Sequence, residues 1–210
     1  MKSVSERFVL DPEAFMKDNI VLQCVHNDTE GLIDVVVKEG GGHAKIHNRQ
    51  GGKVCIMMQK GKSDLPSLRT YFCPYNQNEL KSTTLGNDAL FMFTPTMDGC
   101  TLGIGSDAGN GVQRVTHANC ARGGASAEAW GIEIAREQQA KLQKNLLISQ
   151  LGQTLQLISP NMYTTTSHGG RYKSTTFGVH GFNMTWEFYT LKYAKLSQLS
   201  YIHGGVDRVV

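Results

Sequence analysis

Hydrophobic and polar positions alternate along most of the chain. Residues 19–25, 32–38, 44–47, 53–59 and 68–73 are short β-branched or alternating runs, separated by "NDTEG", "GGG", "NRQGG" and "KGKSD". Such runs, punctuated by turn formers, predict strands in an antiparallel meander or sandwich. Residues 88–94, "DALFMFT", are apolar at consecutive positions and predict a central strand buried on both faces. Residues 101–105 and 111–117 predict a hairpin around "SDAGNG", and 154–158, 176–180 and 184–193 predict further strands.

Two helices stand out from this background. In "LDPEAFMKD", Asp11 is a cap and Pro12 takes the first helical position, predicting a short helix. A longer one is predicted from a Ser126 cap with Glu128 in its first turn. There Ala127, Trp130, Ile134, Leu142 and Leu146 recur at helical spacing, and Glu137 and Lys141 form an i,i+4 pair. "PNMYTTTSHGGRYKS" reads as a long loop. Many strands with one principal helix predict an α+β fold, mostly antiparallel sheets or a sandwich with a few helices outside, as one domain over residues 1–210.

Composition narrows the function classes. With 40% hydrophobic and 19% charged residues this is an ordinary folded chain. Its 21 basic and 18 acidic residues are scattered without a like-charge block, which gives no reason to expect nucleic acid as a partner. No stretch has the sustained hydrophobicity of a membrane span, and the N-terminus lacks a signal-peptide core. Five cysteines (Cys24, Cys55, Cys73, Cys100 and Cys120) with no CxxC pair argue against a disulfide framework and for a reducing compartment.

Candidate chemistry centres on "MDGCTLGIG", residues 97–105. If the hairpin centre falls between Ala108 and Gly109, Cys100 lies opposite His117. Opposed residues have Cβ atoms roughly 4.5–5.5 Å apart, close enough for thiol and imidazole to touch. A protonated histidine there would lower the thiol pKa from about 8.5 and raise the thiolate fraction. Gly99, without a side chain, would let a substrate carbonyl approach backbone N–H groups that hold an oxyanion. The plainer alternatives are a buried small apolar residue at Cys100 and a strand histidine at 117. Cys100, His117 and Cys120 also make three of a zinc site's four ligands, with the fourth missing. "GIGSDAGNG" does not match a phosphate loop and reads as a turn. His168 and His180 read as structural and His203 as a surface residue. Tyr163, Arg171 and Tyr172 lie on a loop that suits either contact with a protein substrate or plain solvation.

"LFMFTPTMDGCTLGIG…VTH", within residues 88–119, resembles the active-site segment of the bacterial glutamine deamidase toxin superfamily. That superfamily includes the Burkholderia lethal factor, the catalytic domain of cytotoxic necrotizing factor and the chemoreceptor deamidase CheD. In the family an apolar strand ends in threonine, a short turn leads to a Gly-Cys pair, and histidine follows on the next strand. Thr94, Gly99, Cys100 and His117 match that order, while Asp98 stands where serine is common. A carboxylate two residues before the nucleophile would raise its pKa if it pointed inward, so Asp98 is expected to face solvent or a partner amine.

The resemblance implies a cofactor-free cysteine hydrolase that converts a target-protein glutamine to glutamate, with Cys100 as nucleophile, His117 as proton shuttle, and Thr94 as the third residue. It also implies a monomer made in a bacterial cytoplasm without a cleaved signal, acting in a host cytosol on a regulatory protein such as a small GTPase or translation factor. Asn119 is the other candidate for the third position, and "ANCARGG" predicts that the strand ends before it. The same site would serve a transglutaminase, a cysteine peptidase is a rival within enzymes, and a non-catalytic effector or binding module is the alternative outside them.

Overall fold

The computed structural model describes residues 2–26, 29, 31–46, 49–61, 66–105, 112–120, 132–152, 156–164, 166–167 and 170–209. The hairpin turn "SDAGNG", the Ser126 cap with Ala127, Glu128 and Trp130, and His168 lie outside these residues.

The chain enters through two short helices. α1 (Val4–Leu10) starts at a capping box, with Ser3 Oγ accepting from the Glu6 N–H and the Glu6 carboxylate from the Ser3 N–H. α2 (Pro12–Asp18) is capped by Asp11 and opened by Pro12 as predicted, the Asp11 carboxylate accepting from Ala14 N–H at 2.9 Å. Phe8, Phe15 and Met16 from these helices are buried.

Strands then build a mixed eight-stranded sheet. Its members are β1 (Asn19–Gln23), β2 (Gly31–Ile46), β3 (Arg49–Gln59), β4 (Leu68–Phe72), β6 (Phe91–Phe93), β12 (Lys173–His180), β13 (Trp186–Lys195) and β14 (Ser200–Arg208), in the order β1-β3-β2-β14-β13-β12-β6-β4. One edge of β2 carries β3. The other edge is shared, Gly31–Val35 pairing with β4 and His43–Ile46 with β14, which closes a ring of pairings from β2 back to β2. A second, four-stranded sheet has the order β5-β8-β7-β9, from β5 (Leu80–Leu85), β7 (Thr101–Ile104), β8 (Gln113–Ala118) and β9 (Gln156–Ile158). With β10 (Thr166–Ser167) pairing β11 (Gly170–Arg171), the long α3 (Ile132–Leu151) and the short α4 (Pro160–Tyr163), the fold is α+β and sheet-rich, as predicted.

Two apolar cores follow from the alternation along the strands. Phe91 and Phe93 of β6 point to a core shared with α1 and α2, while Met92 between them points to a core shared with the second sheet. β6 is thus buried on both faces as its sequence predicts, but over Phe91–Phe93 rather than 88–94, with Asp88 and Leu90 exposed. Three predictions need correction. The "GGG" run does not turn. It is a bulge inside β2, with a register shift between Glu39 and Gly42 and with Gly41 at φ +70°. The backbone approach is tight, since a Cβ on Gly40 would sit 2.7 Å from Ile56 Cγ1. The segment read as one long loop contains α4 and the β10–β11 pair. The face α3 buries is Gln143 and Leu147, whereas Ile134 and Leu142 are exposed. Gly103 of β7 makes this docking possible, for a Cβ there would meet Leu151 Cδ1 at 2.9 Å and Leu147 Cδ2 at 3.0 Å.

Candidate functional site

The segment between β6 and β7 is pinned at each step to its neighbours. Thr94 N–H donates to Thr176 O at 3.0 Å, and Thr94 Oγ1 accepts from Thr176 N–H at 3.1 Å. Met97 and Ser174 exchange both backbone bonds, at 2.6 and 3.1 Å. Asp98 faces outward between two amines, with Lys173 Nζ at 3.0 Å and Arg171 Nε at 3.6 Å, as expected for that carboxylate. Gly99 follows at φ +101°, a left-handed conformation that favours glycine. Its N–H donates to the Tyr163 hydroxyl at 3.1 Å, and that hydroxyl donates to Cys100 O at 2.6 Å. Gln143 of α3, fully buried, donates to Gly99 O at 3.1 Å and accepts from Thr101 Oγ1 at 2.6 Å. Burying a polar amide on α3 is therefore what holds the turn before Cys100, which explains why the helix's inward face is not its most apolar one.

The hairpin register differs from the predicted one by two residues. Leu102 pairs with His117 and Thr101 with Ala118, so Cys100 stands one step past the ladder across from Asn119. Asn119 Nδ2 donates to Cys100 Sγ at 3.3 Å. β8 ends at Ala118, before Asn119 as predicted, although the Asn119 N–H still bonds Glu79 O at 3.2 Å. Period-two geometry nevertheless puts Cys100, Leu102, His117 and Asn119 on one face of the sheet. His117 and Cys100 are diagonal neighbours, a relation with Cα atoms about 7–8 Å apart and Cβ atoms somewhat closer.

Burial dominates the electrostatics of this face. Cys100 is 4% exposed, and burial pushes its thiol up to about 11. The Asp98 backbone and the Asn119 amide pull it down by less, and the Asp98 and Cys120 charges push it further up. His117 is buried against the Tyr75 ring, centroids 5.5 Å apart, and burial lowers it to about 4 against a smaller upward pull from the Pro74 backbone. Among the described residues neither ring nitrogen has a partner at full hydrogen-bond geometry, the Pro74 backbone being the polar group that acts on the ring. Asn119 also bonds the Tyr75 hydroxyl, whose pKa is raised first by burial and then by the Cys100 charge. The resting site is thus a neutral thiol, a neutral imidazole and an amide.

Of the predicted site residues, Cys100 and His117 share a face, Gly99 adjoins the thiol with its N–H engaged by Tyr163, and the Thr94 hydroxyl is engaged by Thr176. Asn119 and Tyr163 each bond Cys100, the first at its sulfur and the second at its backbone oxygen. Asn119's place follows from the register, whereas nothing in the sequence around Tyr163 signals its contact with a turn more than sixty positions earlier. Tyr163 and Tyr172 are buried, so of the three loop residues read as substrate contacts Arg171 alone is partly exposed. His180 is buried beside Trp186. His203 is buried too, Nε2 lying 2.6 Å from Met16 O, because β14 runs beneath α2 rather than along the surface.

Among the described residues no group of three or more His, Cys, Asp or Glu is placed to hold a metal ion, and no helix is long and apolar enough to cross a membrane.

No protein-family model and no curated protein matches the sequence. Among solved structures, the chain is similar to the C-terminal domain of CNFy from Yersinia pseudotuberculosis, with a TM-score of 0.31 and 11% identity over 68% of this chain. The similarity spans 61% of the length of that domain.

Proposed function

We propose that the protein is a cysteine amidohydrolase that deamidates a glutamine side chain on a target protein, acting as a bacterial toxin or effector. The observation that carries this reading is the contact of Cys100 Sγ with the Asn119 amide, on a strand face that also holds His117. The resemblance carried by "FTPTMDGC…VTH" supports it, as does the amide donor beside the thiol.

In this reading the neutral His117 imidazole takes the Cys100 proton as the sulfur attacks the carboxamide carbon. The oxyanion is received by the Asn119 amide and backbone N–H groups at the turn, with the Gly99 N–H joining once the Tyr163 hydroxyl gives way. His117 then returns the proton to the nitrogen as the C–N bond breaks and ammonia leaves a thioester. Water adds to the thioester, His117 accepts its proton, and glutamate and the thiol are released. Thr94 positions the segment through Thr176 rather than touching the sulfur. A single domain acting as a monomer in a host cytosol, on a regulatory protein such as a small GTPase or translation factor, completes the proposal.

Because burial holds the thiol near 11, activation must come from substrate, whose amide displaces the surrounding side chains. The same burial favours a second reading, a binding module in which Cys100 is core packing. Host-cell lysate incubated with the wild type and with Cys100→Ser separates them. Gln-to-Glu conversion in one or a few proteins, present only with the wild type, is expected. Equal peptide masses from both incubations would sink the amidohydrolase, fragments would indicate a peptidase, and amine adducts a transglutaminase.

A further inference from the structure

Beside the turn at Gly99 lies a cavity of about 250 Å³, lined by Asp98 and Gly99, by Arg136 and Gln139 of α3, by Asn161 of α4, and by Arg171. Ligand pockets for drug-sized molecules run to about 300–1,000 Å³, so this one has room for a single side chain and not for a cofactor. Its charges are unbalanced. Asp98 is the one carboxylate in the lining and is already satisfied on both sides, by Lys173 at 3.0 Å and Arg171 at 3.6 Å. Arg136 has no carboxylate partner among the described residues. Arg171 approaches Asp98 through Nε, and its Nη2 sits over Gly99, 3.8 Å from where a Cβ would be. A guanidinium nitrogen therefore sits by the bare side of the glycine next to Cys100, and a second guanidinium and two side-chain amides complete the polar lining of the cavity.

We infer that this cavity is a carboxylate-binding subsite that holds an acidic group of the substrate beside the reacting glutamine. Guanidinium groups bind carboxylates in paired, planar fashion, and Gln139 and Asn161 add neutral donors for the remaining lone pairs. The Asp98 charge stays compatible with an incoming anion because Lys173, which does not line the cavity, neutralises it. The glycine leaves the guanidinium uncovered at the residue that adjoins Cys100 in the chain. The inference rests on the amidohydrolase reading for the identity of the neighbouring group, and the binding itself does not depend on turnover.

Two sources would present this chemistry, an acidic side chain next to the target glutamine or the α-carboxylate of free glutamine. The test uses Cys100→Ser protein labelled with nitrogen-15, titrated with acetyl-Glu-Gln-Gly-amide, acetyl-Gly-Gln-Gly-amide and free L-glutamine. The expected result is saturable movement of the Gly99 amide and Arg171 Nε–H resonances with the acidic peptide. Affinity should fall about tenfold in Arg136→Gln, which lies on the exposed side of α3 and leaves the fold intact. The neutral peptide should leave those resonances in place. Movement with free glutamine as well assigns the source to the α-carboxylate, and its absence assigns it to the side chain. Equal response to acidic and neutral peptides, no response to any probe, or an affinity unchanged by Arg136→Gln overturns the subsite. Absence of Gln-to-Glu conversion by the wild type, with the acidic-peptide shifts of the Cys100→Ser protein intact, would instead count against the amidohydrolase alone.

Discussion

The first core buries Cys55 and the second buries Cys73 and Cys100, and the comparison of Cys55 with Cys100 is instructive. Cys55 of β3 sits fully buried in the first core, and burial raises its thiol to about 11, with Glu39 adding to the rise and Arg7 and Lys53 opposing it. Cys100 in the second core reaches the same value, also by burial. Neither depth nor acidity distinguishes them. What differs is the sulfur's setting: Cys55 lies within β3, paired across the ladder with Glu39, whereas Cys100 follows a glycine turn and meets the Asn119 amide, with His117 on the same face. A candidate nucleophile is marked here by what can exchange a proton or donate a hydrogen bond beside it, not by its resting pKa.

The largest expected effect is on turnover. Cys100→Ser should bring Gln-to-Glu conversion to background, while Cys55→Ser, measured per folded molecule, should leave it unchanged; equal losses would erase the distinction between the two thiols. Next comes Phe177→Ala in the first core, where the ring stacks on Tyr189 at 5.2 Å and is fully buried. It should cost about 3–5 kcal/mol in urea unfolding and leave Cys100 alkylation in the native state unaltered. A change in both would show that the cores are not independent.

A smaller effect is set by pH. His117 is held near 4 when folded against an ordinary value near 6.5, so the unfolded chain binds the extra proton first as pH falls. Stability should therefore decline from about pH 6.5 down to about pH 4, by roughly 3 kcal/mol, and level off below. His117→Leu should lose that slope, and a slope that survives in urea midpoints would assign the acid sensitivity elsewhere. The smallest effect concerns the thiol itself. Without substrate, iodoacetamide should modify the exposed Cys24 well ahead of Cys100. Asn119→Ala removes a group that lowers the Cys100 pKa, and should slow its alkylation at pH 9 by about fivefold, the worth of about one hydrogen bond. Faster alkylation in that variant would mean that Asn119 shields the sulfur rather than supporting the thiolate.

Where the sequence was legible, a local rule was enough. Asp11 and Pro12 start a helix in any context, and the unbroken "FMF" run has to lie between two apolar surfaces. The shared face of Cys100 and His117 was legible for the same reason, since it depends on alternation alone. Their pairing was not. Moving one strand by two residues keeps Cys100, Leu102, Ile104, Val115 and His117 pointing inward, so the apolar pattern cannot tell the predicted register from the observed one. β14, with Ser200, His203, Gly204 and Gly205, has little strand propensity and is made a strand by its neighbours β13 and β2. The contact of Tyr163 with Gly99 and Cys100, and of Gln143 with Gly99 and Thr101, arises only when α3 and α4 dock, and no local pattern encodes docking.

The shared edge of β2 has a consequence for how the chain reaches this state. Half of that edge is covered by β4, which is close in sequence, and half waits for β14, the last strand described. Until Ser200–His203 arrive, His43–Ile46 present an open row of backbone donors and acceptors, the kind of edge that recruits other chains. Assembly must then be late and non-local, with a slow search set by topology more than by helix formation. Truncation before Ser200 should turn a folding sequence into an aggregating one, and any passage of the protein through a narrow channel would have to be followed by refolding of the whole chain at once.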